Sequence, residues 1–225
     1  MLAAVIFDFD GIIVDTEPIH YRAFQEVLVP LGLGYSWEEY LRSYIGYDDR
    51  DALRNVFRAA GRDLEEDGLR ALIADKGAAF QRIIAAGVEP YPGVVELVRA
   101  VGGNLPLALC SGALPADIVP ILRNLGIADA FDAVVTAADV RASKPDPESY
   151  SLAVARLQST FPADNISPER CLAIEDTPAG IAAAQGAGIR VLAVTNSYPA
   201  EELAGADRIV SSLGETSLTL LTNLF

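Results

Sequence analysis

Five short, continuously apolar runs punctuate the chain and restrict its fold more than any other feature: LAAVIFDF at the start, LPLALCS at 105–111, AVVTA at 133–137, CLAIED at 171–176 and RVLAVT at 190–195. DRIV at 207–210 adds a sixth, shorter one. A strand with one face in water alternates apolar and polar residues, whereas a parallel strand covered by helices on both faces is apolar throughout. Helical patterns with recognisable ends fill the intervals. Pro92 opens one that closes at Gly102-Gly103, Pro115 stands near the start of ADIVPILRNLG, and TPAGIAAAQGAG follows Asp176. The alternation predicts an α/β fold, a doubly wound parallel sheet.

One interval does not fit a simple crossover. Between the first run and LPLALCS, roughly 70 residues show helical periodicity and no strand, which is too long for a connection and reads as an insertion. Its candidate helices are IHYRAFQEVLVPLG, SWEEYLRSYIG, RDALRNVFRAAG and LEEDGLRALIADKGAAFQRIIAAG, broken at Gly32, Gly34, Gly46, Gly61 and Gly87. The expected organisation is a main α/β domain from residues 1–15 and 89–225, with an all-helical cap domain at 16–88. The joints fall near Asp15 to Glu17 and Gly87 to Pro92.

A net charge of −14 repels polyanions, and no Lys/Arg-rich run offsets it, so neither a nucleic-acid groove nor an anionic membrane surface is expected. An acidic protein that handles phosphate needs local cations instead. Cys110 and Cys171 each sit in an apolar run and read as small core residues, which suits a reducing compartment. The N-terminal apolar stretch is interrupted by Asp8 and Asp10 and has no basic lead, so it is not read as a secretory signal. No run approaches the roughly 18 apolar residues of a membrane helix. The expected location is cytoplasmic.

The ends of the apolar runs carry the chemistry. Asp8-Phe9-Asp10-Gly11 places two carboxylates where a parallel strand ends, and ligands bind outside the carboxyl ends of such strands. If the extended conformation persists, side chains at i and i+2 share a side and both acids face one cleft. LPLALCS ends in Ser111-Gly112, a hydroxyl beside a permissive backbone and a plausible phosphate-oxygen site. AVVTA is followed by Ser143-Lys144-Pro145-Asp146, and Lys144 is one of only two lysines in the chain. CLAIE ends in Glu175-Asp176, carboxylates of the kind a hard cation such as Mg²⁺ prefers. Each has a plain structural alternative: an acidic turn, a helix cap, a solvated loop cation, helix-start acids. Together, four strand ends supplying an acid pair, a hydroxyl, a cation and an acid pair point to one functional site.

These residues resemble the motifs of the haloacid dehalogenase superfamily, whose members show D-x-D-G after the first strand, a Ser or Thr after the second, a Lys and then an acidic pair. The helical insertion straight after the first motif is similar to that superfamily's C1-type cap. DFDGIIVDTEP, KPDP and EDTPAG resemble the branch containing phosphoglycolate-phosphatase-like and beta-phosphoglucomutase-like enzymes. The resemblance implies a Mg²⁺-dependent phosphatase acting on a small phosphorylated metabolite, as a monomer or weak homodimer. Asp8 is then the nucleophile that forms an aspartyl-phosphate, and Asp10 the acid and base. Ser111, Gly112 and Lys144 hold the transferring phosphoryl group. Asp8, Asp10 (through its backbone carbonyl), Glu175 and Asp176 hold the metal or its water. One Mg²⁺ and one lysine thus meet the need for local cations.

In the cap, Thr16, Glu17 and His20 follow the first motif, and Gly46 and Arg50 lie at a helix break. They are the candidate substrate contacts, although a lone histidine and a surface arginine also suit structural roles. Within the superfamily, Asp10 argues against a dehalogenase. A phosphonatase would need a cap lysine for a Schiff base, and Lys76 stands deep in a helical run, away from the first motif. A beta-phosphoglucomutase-like mutase is the serious rival, but its cap normally carries a Lys-Gly pair followed shortly by Arg, and here Ile45 precedes Gly46 while Asp48-Asp49 intervene before Arg50. Net hydrolysis is therefore expected. A catalytically silent or receiver-like binding module fits less well, because all four motifs are intact.

Overall fold

The computed structural model describes all of residues 1–225 except Ile45, Gly46 and Asp48, so the expectation for Gly46 lies outside the described residues. The chain divides into two compact units, Met1–Asp15 with Val88–Phe225, and Thr16–Gly87.

The first unit is built on six parallel strands: β1 (Ala4–Phe7), β2 (Leu107–Cys110), β3 (Ala133–Val135), β4 (Cys171–Glu175), β5 (Arg190–Val194) and β6 (Arg208–Val210). Their order is β3-β2-β1-β4-β5-β6. β1 is central, its register pairing Val5 with Leu107 on one side and with Leu172 on the other. Because the winding reverses between β1 and β4, a crevice opens beyond their carboxyl ends. All residues of β1, β2 and β4 are buried, as continuous apolar runs require.

Alternate strand residues serve opposite faces. Ala4, Ile6, Ala108, Cys110, Ala173 and Val191 join one core with Tyr150, Ala153, Val154 and Leu157 of α7 (Glu148–Thr160) and Ile181, Ala183 and Ala184 of α8 (Pro178–Gly186). Val5, Phe7, Leu109 and Ile174, from the other set, are just as buried, and Phe7 meets Phe131 edge-on at 6.4 Å. The remaining helices of this unit are α5 (Val94–Gly102), α6 (Pro115–Asn124) and α9 (Leu218–Thr222). Both cysteines are free and buried, and burial pushes their thiols up, to about 11 for Cys110 and about 12 for Cys171. They are packing groups, not nucleophiles.

The second unit holds α1 (Glu17–Leu28), α2 (Trp37–Ser43), α3 (Asp49–Ala59) and α4 (Glu66–Ala85). Its core joins Phe24 and Leu28 of α1, Tyr40 of α2, Leu53, Val56 and Phe57 of α3 and Leu69 of α4. The α1 pattern ends where Val29–Leu31 tighten into a 3₁₀ turn and Gly32 takes the left-handed conformation. The start of α2 is fixed by Ser36, whose hydroxyl accepts from the Glu39 amide at 3.2 Å. Among the described residues, no helix of either unit is long and apolar enough to cross a membrane.

Candidate active site

The extended conformation does not run on through the first motif. β1 ends at Phe7, and the amides of Ile12 and Ile13 turn back onto the Phe9 carbonyl. Asp8 thus precedes a tight turn and Asp10 lies within it, so strand geometry does not relate the two acids, but Asp10 still stands near enough to Asp176 to raise its pKa. Gly11 makes the turn possible at φ +79°, and a Cβ there would stand 1.9 Å from Asp176 Oδ2. Both the backbone conformation and the neighbouring carboxylate demand glycine. Asn196, just past β5, holds the turn from outside, its Nδ2 donating to the Gly11 carbonyl at 2.6 Å.

Asp8 follows β1, with its amide on the Ile174 carbonyl and its side chain almost fully buried. Lys144 reaches it from the loop between β3 and α7. The ammonium donates to Asp8 Oδ1 at 2.6 Å, to Glu175 Oε1 at 2.7 Å and to the Cys110 carbonyl at 3.2 Å. Burial opposes the charge on Lys144, but the two carboxylates override it and raise its pKa. Lys144 is permanently cationic here.

Glu175 ends β4 with no exposed surface. Beyond Lys144, its carboxylate accepts from the Tyr150 hydroxyl at 2.9 Å and from the amides of Asp176 at 3.0 Å and Thr177 at 3.3 Å. This is an oriented carboxylate and not a helix-start acid. The cap of α8 is Thr177, whose hydroxyl accepts from the Gly180 amide at 3.0 Å. Asp176 differs from its neighbour. Both its oxygens are buried, and neither reaches a hydrogen-bond partner at normal geometry. Burial, with Glu175 and Asp10 adding to it against Ser197 and Lys144, pushes its pKa up to about 7. Burial also raises that of Asp8 well above the usual carboxylate range, opposed by Lys144 and reinforced by Glu175 and Asp176.

The residues present suit a divalent cation. Asp8, Glu175 and Asp176 each offer an oxygen, all within 4.8 Å of one another. Ionised together, the three carboxylates would carry two more charges than the one ammonium compensates, and neither Asp176 oxygen reaches a donor at normal geometry. Oxygen-only ligands of this kind suit a hard ion.

Ser111 is buried at the end of β2, but its hydroxyl accepts from the Ala113 amide at 2.9 Å and caps no helix; α6 begins after Leu114. Gly112 is exposed, with open space where a Cβ would be. Tyr150, Asn196 and Gly180 were not among the expected site residues. Asn196 carries the same signal that exposed the others, a polar side chain just past an apolar run. Tyr150 had no such signal, because a buried hydroxyl on a helix is indistinguishable by pattern from a core aromatic.

Within the second unit, Thr16 is buried ahead of α1. Glu17 accepts from the Tyr40 hydroxyl at 2.5 Å. Arg50 donates to Glu66 at 2.8 Å, in an ion pair whose partners are about half exposed. His20 is not isolated. Its Nδ1 lies 2.8 Å from the Lys76 ammonium, which also donates to Asp49 Oδ1 at 2.6 Å. Lys76, expected deep in a helical run, thus stands beside a residue that follows the first motif closely in sequence. Sequence separation along α4 says nothing about which helix packs on it.

The chain's residues 5–194 match the family model described as haloacid dehalogenase-like hydrolase. The fructose-1-phosphate phosphatase YqaB of Escherichia coli (strain K12) is 33% identical over 187 residues, covering 83% of this chain and 93% of that protein. The beta-phosphoglucomutase of Bacillus subtilis (strain 168) is 29% identical over 225 residues, covering 98% and 94%. The crystal structure of CbbY from Rhodobacter sphaeroides in complex with phosphate superposes with a TM-score of 0.83 at 28% identity, covering 99% of this chain and 100% of that one.

Proposed function

The chain belongs to the haloacid dehalogenase-like hydrolases, and from that premise we propose that it is a Mg²⁺-dependent phosphatase that hydrolyses a small phosphorylated sugar or similar metabolite through an aspartyl-phosphate. The carrying observation is the Lys144 ammonium bridging Asp8 and Glu175 in a buried carboxylate cluster. The reaction needs an ionised aspartate in a site dry enough to raise its pKa. Burial raises the Asp8 pKa, and Lys144 opposes that rise by favouring the charged form, to which a bound cation would add.

Asp8 attacks phosphorus, and the P–O bond to the substrate breaks. The departing alkoxide takes a proton from the Asp10 carboxyl, leaving an aspartyl-phosphate. Asp10, now ionised, removes a proton from water as it attacks that phosphorus; inorganic phosphate leaves and Asp8 is restored. Proton transfer of this sort contributes about 10²–10⁴ in rate. Ser111, Gly112 and Lys144 grip the phosphoryl oxygens. Glu175, fixed by Tyr150 and two amides, holds Lys144 in place. Asp8, Asp176, Glu175 and the Asp10 carbonyl would hold Mg²⁺, which when bound supplies the positive charge that offsets the carboxylates and the transferring phosphoryl group.

In the cap unit, Thr16, Glu17 and His20 contribute to recognition of the part of the substrate that is not transferred. Arg50, whose guanidinium is engaged by Glu66, is assigned the weaker share. The protein acts in the cytoplasm as a monomer or weak homodimer. Phosphate release from a panel of sugar phosphates should require Mg²⁺ and vanish in Asp8→Asn; metal-independent release, or full activity in that variant, overturns the reading. Similarity to the Bacillus subtilis mutase supports a second reading, phosphosugar isomerisation. Conversion of beta-glucose 1-phosphate without phosphate accumulation would favour it.

A further inference from the structure

Asp10 stands in a turn whose internal hydrogen bonds fix its shape. The Phe9 carbonyl accepts from the amides of Ile12 at 3.3 Å and Ile13 at 2.8 Å, and the Gly11 amide donates to the Val14 carbonyl at 2.9 Å. The peptides on both sides of Asp10 are thereby held relative to residues 9–14. Where the turn lies over the sheet is decided by bonds to other elements. The Asp8 amide on the Ile174 carbonyl secures its entry, and the Tyr91 amide on the Ile13 carbonyl secures its exit. Between them, the Gly11 carbonyl accepts from Nδ2 of Asn196 at 2.6 Å, from a residue 185 positions away. Asn196 lies just past β5, and β4 separates β5 from β1. Two strand spacings put the ends of β1 and β5 on the order of 10 Å apart, so a bond between them means that the turn leans across the end of β4. Asp176 stands there, and a Cβ on Gly11 would meet its Oδ2 at 1.9 Å. Gly11 is packed against Asp176 and tied to Asn196, and both set the place of the adjacent Asp10. The four motifs read from the sequence do not include this strand end.

We infer that Asn196 is a positioning residue for Asp10: by fixing the Gly11 carbonyl, it holds the Asp10 carboxyl where the leaving oxygen takes its proton. The inference rests on the phosphatase reading above for the role of Asp10. In the step concerned, Asp8 bonds to phosphorus and the ester P–O bond breaks with its electron pair staying on the leaving oxygen. An alkoxide takes the Asp10 proton as it departs, whereas a nitrophenolate is stable enough to leave without one. The two leaving groups therefore separate the placement of an acid from a general loss of structure. Asn196 also satisfies a carbonyl in a buried turn, but losing that service alone would penalise both esters alike.

Steady-state kinetics at saturating Mg²⁺ compare fructose 1-phosphate, or the best-hydrolysed sugar phosphate of the panel above, with p-nitrophenyl phosphate. Because kcat/KM reports formation of the aspartyl-phosphate, Asn196→Ala should lower it by about 10²-fold for the sugar phosphate, the cost of an acid misplaced by about 1 Å, and by less than about threefold for p-nitrophenyl phosphate. The kcat for p-nitrophenyl phosphate should still fall, since Asp10 is also the base of the second step, and a burst of nitrophenolate should precede the steady state. Asn196→Asp keeps the shape but turns an acceptor toward the carbonyl, and should do at least as much damage; Asn196→Gln keeps the donor and should recover part of the loss. Equal losses in kcat/KM for the two esters, or an Asn196→Asp chain as active as the parent, overturn the inference. Amide hydrogen exchange of the metal-free chain adds a readout free of turnover. Asn196→Ala should speed exchange across residues 9–14 and leave Ala4–Phe7 unchanged; an unchanged turn overturns the inference. Should Asn196→Ala not fold, Asn196→Gln is read in the same way for a smaller effect. Absence of phosphate release by the native chain from every ester counts against the phosphatase reading, and exchange in the turn then decides this one.

Discussion

Gly180 and Glu175 illustrate how tightly single residues are fitted around the carboxylate cluster. A Cβ on Gly180 would stand 1.8 Å from Glu175 Oε1 and 2.1 Å from Oε2, so the first turn of α8 fits against that carboxylate only without a side chain. Glu175 has nowhere convenient to go, since Lys144, Tyr150 and two amides hold it where it is. Gly180→Ala must displace one or the other. Overpacking of this kind costs about 1–3 kcal/mol. The expected outcome is a fall of that size in unfolding free energy, with a loss of activity larger than the fraction unfolded explains, because Lys144 loses its anchor. Denaturant titration and steady-state kinetics check both. A variant as active and stable as the parent would show that Glu175 tolerates displacement.

At the scale of elements, the helices of the cap unit are fastened by a polar staple as well as by their apolar faces, and the staple has a pH signature. His20 has a folded-state pKa of about 3, below its ordinary 6.5, because burial and Lys76 disfavour the imidazolium. Below pH 6.5 the unfolded chain therefore takes up a proton that the folded chain refuses, and stability falls as pH drops toward 3, by at most about 1.4 kcal/mol per pH unit. His20→Gln should flatten that part of the profile; an unchanged difference between pH 7 and pH 5 rules the linkage out. No such staple is visible in the sequence. The strands were legible because five of the six parallel runs are apolar almost throughout, and the chemistry was legible because Asp8, Ser111 and Glu175 interrupt or follow those runs abruptly, with Lys144 in the loop after the third. Helical periodicity, by contrast, gives which face of α4 is buried but not that α1 and α3 bring His20 and Asp49 to Lys76. The turn at Phe9 to Ile13 escaped for a related reason: the apolar run continues through Phe9, while the hydrogen bonds that fold it back are set by Gly11 and by neighbours elsewhere in the chain.

For the molecule as a whole, acidity and metal are one problem. A chain of net charge −14 gathers its most costly acidic groups in a dry crevice, where Asp176 reaches no hydrogen-bond donor at normal geometry and burial pushes its pKa up to about 7. Such a site is a source of instability until a cation enters. A ligand bound only by the folded state stabilises by about 2.7 kcal/mol at a hundredfold excess over its dissociation constant. Mg²⁺ should therefore raise the melting temperature of the α/β unit well beyond what the same ionic strength of NaCl achieves. Asp176→Asn separates this from general screening. Removing a carboxylate whose charge burial disfavours should leave the metal-free chain at least as stable as the parent, while the Mg²⁺ response and the phosphatase activity disappear together. Melting curves with and without Mg²⁺ decide the matter. If the metal-free variant is much less stable, Asp176 serves the fold and not the ion; if the Mg²⁺ response survives, the cation binds elsewhere. The fold holds a carboxylate whose charge burial disfavours, and the same excess charge that makes the free site unfavourable would give a bound cation its affinity.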